Sequence, residues 1–324
     1  MTLLVTGGNG FIGLNLVEHF SSLKTPCILM SDRPTNSSVL QTLQKRIPDF
    51  NWIQGDVRNS HDLNEICRRF EVKKIVNAAA ITAELPREIV DTRKIFEVNL
   101  LGAVEVFECA LRNNIDQVIQ LSSGSIFGHL GLHDSTIDEL NSPVLPETIY
   151  GISKLAAERT GLRYRKTRNL NLTVVRLGLV YGQWEYDTGV RDTLSLPLQL
   201  YWFAKEGKHA IVYDQIGTDY IYSKDVVQGL AKILEKGSSP EGLYQLSSGQ
   251  VWSLKQWLDS LKTHFPNFSY EICSDKTLCN VGLVGPLLRS PMRTERIQKD
   301  FGFLPEFNQQ LAFADFMKHY EGEL

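Results

Sequence analysis

The chain has 324 residues, room for one large domain or a large and a small one, and its 43% hydrophobic and 22% charged content excludes a disordered, collagenous or low-complexity protein. With 34 Lys and Arg against 37 Asp and Glu the formal charge is −3, so nothing global draws the chain to nucleic acid or to an anionic membrane. No apolar run reaches the roughly 18 residues of a membrane span. The start, MTLLVTGGNG, lacks the basic region and cleavage site of a secretory signal. The expectation is a cytoplasmic protein whose cysteines (Cys27, Cys67, Cys109, Cys273, Cys279) are reduced thiols with no metal site.

In chain order, Thr2–Val5 reads as a short apolar strand ending in a glycine-rich turn, and Phe11–Leu23 has helical periodicity. Cys27–Met30 and Trp52–Ile53 are further strands, closed by Ser31-Asp32 and Gly55-Asp56. Asp62–Phe70 is amphipathic, Lys74–Asn77 a strand, and Ile89–Asn113 one long helical stretch. Gln117–Leu121 runs into Ser122-Ser123-Gly124, Tyr150–Lys166 is helical, and Leu172–Leu177 is β-rich. Short buried strands alternating with helices mean βαβ units around a parallel sheet: a doubly wound α/β fold over residues 1–182. Beyond Gly182 helices (Leu194–Lys205, Lys224–Glu235, Leu254–His264) mix with strands (Ala210–Tyr213, Leu243–Leu246, Ser269–Ile272). This predicts a smaller substrate-binding region over 183–324, with 210–238 returning to the first domain. The basic cluster Arg163, Arg165, Lys166 and Arg168 reads as a solvated helix end whose cations complement the helix dipole.

The string Thr6-Gly7-Gly8-Asn9-Gly10-Phe11-Ile12-Gly13 lies between a strand and a helix. There the backbone can approach a pyrophosphate at a helix N-terminus. Gly8, Gly10 and Gly13 spell GxGxxG; Gly7, Gly10 and Gly13 spell GxxGxxG; both point to a dinucleotide. Asp32 ends the second strand, where a carboxylate accepts from both ribose hydroxyls and repels a 2′-phosphate. That favours NAD, although the adjacent Arg33 could grip the phosphate of NADP. Asp56, after the third strand, is placed to accept from the adenine amino group, or to cap a turn.

Tyr150-Gly-Ile-Ser-Lys154 puts a phenol and an ammonium on one helix face. A cation near the phenol favours phenolate, which can take a proton from a substrate hydroxyl. With the glycine loop and the Leu121–Gly128 segment, this resembles the extended short-chain dehydrogenase/reductase family, the NAD-dependent epimerase/dehydratase group. Asp56, Asn77-Ala78-Ala79-Ala80, Val98-Asn99-Leu100 and Val175-Arg176-Leu177 match its pattern in order.

The resemblance implies Ser123, Tyr150 and Lys154 as the catalytic set. It places Gly7, Gly10, Phe11, Ile12, Gly13, Asp32, Asp56, Val57, Ala78, Ala79, Asn99, Tyr150 and Lys154 along NAD. Ser123 and Ser125 would face substrate. Asn99 would support the active-site hydrogen-bond network, and the helices holding 89–113 and 150–166 resemble the family's dimer interface. Three departures follow. Gly124 and Ser125 stand where 4,6-dehydratases carry Asp-Glu, which argues against dehydration. Leu179 and Thr218 stand where nucleotide-sugar epimerases usually carry Asn and Arg toward a diphosphate. Arg191, Arg289 or Arg293 would have to replace those contacts, with Arg289 at the family's late phosphate-binding position. The leading expectation is a redox-neutral, NAD-dependent epimerase of a nucleotide sugar. The alternative is a dehydrogenase of a free sugar, sugar acid or other small hydroxy compound; a non-catalytic NAD-sensing protein is a third.

Overall fold

The computed structural model describes residues 2–34, 37–47, 50–128, 136–214, 219–282 and 289–322. The chain runs β1 (Thr2–Thr6), α1 (Phe11–Ser22), β2 (Cys27–Ser31), α2 (Ser37–Arg46), β3 (Asn51–Gln54), α3 (Ser60–Arg69) and β4 (Val72–Asn77). It continues α4 (Leu85–Phe96), α5 (Gly102–Arg112), β5 (Gln117–Ser123), α6 (Ile149–Arg168), β6 (Leu172–Leu177) and β7 (Leu179–Tyr181). The last part is α7 (Leu196–Lys205), β8 (His209–Tyr213), β9 (Tyr220–Tyr222), α8 (Ser223–Lys236), β10 (Leu243–Leu246), α9 (Leu254–His264), β11 (Ser269–Cys273), α10 (Glu295–Phe301) and α11 (Gln309–Glu321).

Seven strands form one sheet in the order β10-β6-β5-β4-β1-β2-β3, every pair parallel. A parallel sheet is covered on both faces, which is why its strands are continuous apolar runs. Leu3, Leu4 and Val5 of β1 have no exposed surface, and all five residues of β2 are buried. The strand order reverses between β1 and β4, so their carboxyl ends part and leave a crevice above the sheet.

The doubly wound α/β expectation therefore holds, with differences in detail. The stretch expected as one helix over 89–113 begins earlier, at Leu85, and is interrupted by a π-helical turn over Glu97–Leu101 between α4 and α5. The strand beginning the 210–238 stretch does not join the large sheet: β8 pairs with β11 in a two-stranded parallel sheet. Helix α8 packs on α1, and the sheet's last strand is β10, paired to β6. Helix α2 had no sequence expectation. Its only strong apolar positions, Val39, Leu40 and Leu43, give a short stripe. A second core, with Trp257, Tyr201, Phe316 and Phe268 fully buried, lies under α7, α9 and α11. The basic cluster does fall in the last turn of α6, where Arg165 also donates to the Leu172 and Ser239 carbonyls.

Candidate active site

The glycine loop is built for close approach. Gly7 sits at φ +64°, and a Cβ there would lie 2.7 Å from the Ala79 backbone. A Cβ on Gly13 would meet the Gly8 carbonyl at 2.3 Å, so α1 can start directly under the loop only with glycine there. No side chain caps the N-terminus of α1 and its first turn carries no acid, leaving its N–H groups to an anionic ligand. The loop opens a pocket that is also lined by Asp32, Arg33, Asp56, Val57, Ala78 and Ala79. Phe11 and Ile12, from the same motif, lie in the first turn of α1.

Asp32 is about half exposed at the end of β2, with Arg33 Nε 3.5 Å from its Oδ2. Asp56 lines the pocket, but both its oxygens are engaged by the Arg58 guanidinium, at 3.0 and 2.5 Å, which holds the carboxyl below its usual range. Tyr186, Thr188 and Val190 close the pocket from the other side, and the Tyr186 hydroxyl donates to the Asn9 carbonyl at 2.5 Å. Sequence reasoning did not assign this strap to the pocket. It is tied to the first half of the chain by the bridge between Thr82 and Arg191, 109 positions apart, and by Arg87, which pairs with Asp192 at 2.6 Å and donates to the Gly189 carbonyl at 3.2 Å; no local pattern marks these links.

At the C-terminal end of β5 the Ser123 hydroxyl accepts from the Ser125 N–H at 3.1 Å and shares a hydrogen bond with the Ser125 hydroxyl at 2.9 Å. Tyr150 stands in the first turn of α6, which Thr148 caps by accepting from the Gly151 N–H at 3.0 Å. Burial pushes the Tyr150 hydroxyl above its ordinary pKa; the Ser123 and Thr82 side chains and the charge of Arg191 act in the other direction. Of these, Thr82 and Arg191 were not assigned to the phenol by any motif, and the cation acting on it is Arg191. Lys154, 3% exposed, is lowered to about 8 by burial, and the negative charge of Glu158 one turn further along α6 opposes that shift.

Asn99 lies in the π-helical turn and is buried. Its amide donates to the Ile81 carbonyl at 3.0 Å and the Ser153 hydroxyl at 2.9 Å, while its Oδ1 accepts from the Ile81 N–H at 2.8 Å. Ser153 in turn donates to the Tyr150 carbonyl at 2.8 Å. One amide thus ties the segment that leads into Thr82 to the helix turn that carries Tyr150, and π-turns often mark such functional positions.

The arginines considered for a diphosphate lie in three different places. Arg293 is exposed and pairs with Asp138 at 3.1 Å. Arg191 pairs with buried Glu185 at 2.9 Å and stacks over the Phe11 ring at 5.5 Å. Arg289, 6% exposed, lies against Gly124. Leu179 pairs in register with Tyr220 and packs on the second core, so it offers no amide to a ligand. Thr218 lies outside the described residues.

A parallel sheet with a glycine cradle at its switch point, with Ser123 at the end of β5 and Tyr150 at the start of α6, defines a dinucleotide-dependent enzyme of the extended short-chain dehydrogenase type. Residues 3–246 match the NAD dependent epimerase/dehydratase family, and the chain belongs to that family. It is 27% identical over 276 residues, 80% of each chain, to the Escherichia coli dTDP-4-dehydro-6-deoxyglucose reductase. It is 24% identical over 279 residues, 85% of each chain, to a putative UDP-glucose 4-epimerase of Methanocaldococcus jannaschii. Over the whole length of both chains it superposes with TM-score 0.80 and 22% identity on the Thermus thermophilus UDP-glucose 4-epimerase, solved in complex with NAD. Among the described residues no helix is long and apolar enough to cross a membrane, and no group of His, Cys, Asp and Glu could hold a metal ion.

Proposed function

We propose that this chain is an NAD-dependent epimerase of a nucleotide sugar, with Tyr150 as the base. What supports the reading is Tyr150 at the start of α6 with the Ser123 hydroxyl acting on its phenol, together with the glycine-lined pocket. The residues fit the cofactor: the left-handed Gly7 and the open N-terminus of α1 would meet the pyrophosphate, and the Asp32 carboxylate would meet the ribose. NAD, when bound, supplies a hydride acceptor and donor. Tyr150 takes the proton of a substrate hydroxyl, Ser123 holds the same oxygen, the charge of Arg191 favours the phenolate, and Lys154 would reach the nicotinamide ribose. Returning that proton from Tyr150 after the sugar has turned over leaves the stereocentre inverted and no net oxidation.

The first 182 residues, with α8 and β10, would hold the cofactor, and the rest of 183–324 would carry most substrate contacts. The exposed apolar side chains of α4, Leu85, Ile89 and Val90, with Ile152 of α6, support a homodimer through those helices. The five free thiols support a reducing, cytoplasmic setting.

A second reading, oxidation of a free sugar acid or similar hydroxy compound, is favoured by the apolar placement of Leu179. Incubation with NAD and a panel of UDP- and dTDP-sugars tests both. Epimer formation without accumulation of NADH is expected. Stoichiometric NADH from a free sugar or sugar acid, with no nucleotide sugar converted, would replace the first reading by the second.

A further inference from the structure

Arg289 reaches the fold's interior from a segment far from β5 in sequence, and its guanidinium comes to rest on the residue after Ser123. A Cβ added to Gly124 would lie 2.3 Å from Arg289 Nη1, so the absence of a side chain at 124 is what admits the guanidinium. The residue is 6% exposed, and among the described residues its Nε has no hydrogen-bond acceptor. A buried, unpartnered donor on a cation is costly unless something supplies the acceptor. Asp219 offsets part of the charge through space. Its oxygens, however, are already taken by the Ser247 hydroxyl and by the Met292 N–H, the latter at 2.8 Å. Arg191, by contrast, spends its charge on Glu185 at 2.9 Å.

We propose that Arg289 is a specificity-determining residue which grips a carboxylate on the carbon next to the one that reacts. The substrate class is then a uronate or other hydroxy acid, free or carried on a nucleotide. The position decides the kind of anion. Ser123 and Tyr150 hold the reacting oxygen, Gly124 is bonded to Ser123, and Arg289 Nη1 lies against Gly124, so an anion met by this guanidinium sits at the reacting end of the substrate. The diphosphate of a nucleotide sugar hangs from the anomeric carbon, across the ring from a carbinol held at that end. A planar guanidinium with a free Nε–H matches a carboxylate there. The inference rests on the reading of Ser123 and Tyr150 as the reacting centre.

The experiment compares matched acids and neutral sugars on the intact protein saturated with NAD. Binding of UDP-glucuronate, UDP-glucose, UDP alone, glucuronate and glucose is measured by calorimetry for the native chain, Arg289→Gln and Gly124→Ala. The native protein should bind the acid about 10–100-fold more tightly than its neutral counterpart in at least one pair, the scale of one charge-assisted contact. Arg289→Gln should abolish that preference and leave UDP affinity unchanged. Gly124→Ala should abolish it too, because its methyl displaces the guanidinium without removing the charge, which covers the case in which Arg289→Gln does not fold. A native protein with no preference in either pair overturns the inference. So does Arg289→Gln weakening UDP as much as UDP-glucuronate, which assigns the residue to the diphosphate. A preference confined to the free sugars upholds Arg289 and removes the nucleotide-sugar reading instead.

Discussion

Glu158 and Arg176 form a bidentate pair in the interior: Nη2 donates to Oε1 at 2.6 Å and Nε to Oε2 at 2.9 Å, with the two side chains 0% and 1% exposed. The pair lies behind the active site, one turn along α6 from Lys154, and links that helix to β6. Ser122, next to Ser123, donates to the same carboxylate at 3.0 Å, and Arg176 covers the Phe127 ring at 5.2 Å.

Breaking one half of such a pair leaves a buried charge without a partner, which costs about 3–5 kcal/mol. Glu158→Gln should lose about that much in a urea titration. A double variant, Glu158→Leu with Arg176→Met, should recover much of it, because no orphaned charge remains. A single variant as stable as the native chain would show that the pair does not hold α6 to the sheet.

Tyr150→Phe keeps the ring and removes the titrating hydroxyl. Turnover on a true substrate should fall about 10²–10⁴-fold, with NAD still bound. Near-native turnover would remove Tyr150 as the base.

Asp32 has its carboxylate about half exposed, with Arg33 beside it. Loss of a charge-assisted contact to the ribose is worth roughly 1.5–3 kcal/mol, so Asp32→Ala should weaken NAD by about 10–100-fold and relax discrimination against NADP. Tighter binding of NADP than NAD by the native protein would instead assign the 2′-position to Arg33.

Lys154 titrates at about 8 in the folded chain because burial disfavours its ammonium, against 10.5 ordinarily. Between those values the unfolded chain holds a proton that the folded chain has released, so stability rises with pH across the window. The full effect is on the order of 3 kcal/mol. Unfolding measured from pH 7.5 to 10.5 should show that rise in the native chain. Lys154→Met should flatten it. The same slope in both proteins would disprove the assignment.

Val90 is 76% and Ile89 74% exposed on α4. If this face joins two copies, Ile89→Glu with Val90→Glu should convert a dimer to a monomer in sedimentation, since charges in an apolar contact carry a desolvation cost. A native chain that sediments as a monomer would dispose of the dimer.

Much of the site was legible because its chemistry is local. The glycine spacing of Gly7–Gly13 reports a turn and a close approach, and Tyr150 and Lys154 share a helix face by periodicity alone. Asp32 and Asp56 follow strands whose apolar runs mark where the sheet ends. The long helix was misread over 89–113 because a π-turn adds one residue to a turn without changing composition, and only Asn99's bonds to Ile81 and Ser153 show why it is there.

The sequence by itself determined the parallel sheet and the glycine loop, and pointed to Ser123, Tyr150 and Lys154, since each signal depends on residues close in the chain, on one strand-and-helix repeat or on a family resemblance. The tertiary structure alone decided what surrounds them. Thr82 and Arg191, bridged from distant segments, act on Tyr150, the strap of Tyr186–Val190 lines the pocket, and Arg289 lands on Gly124. Side chains brought together from separate segments meet because the elements between them pack, and packing distance leaves no period or spacing in the order of residues.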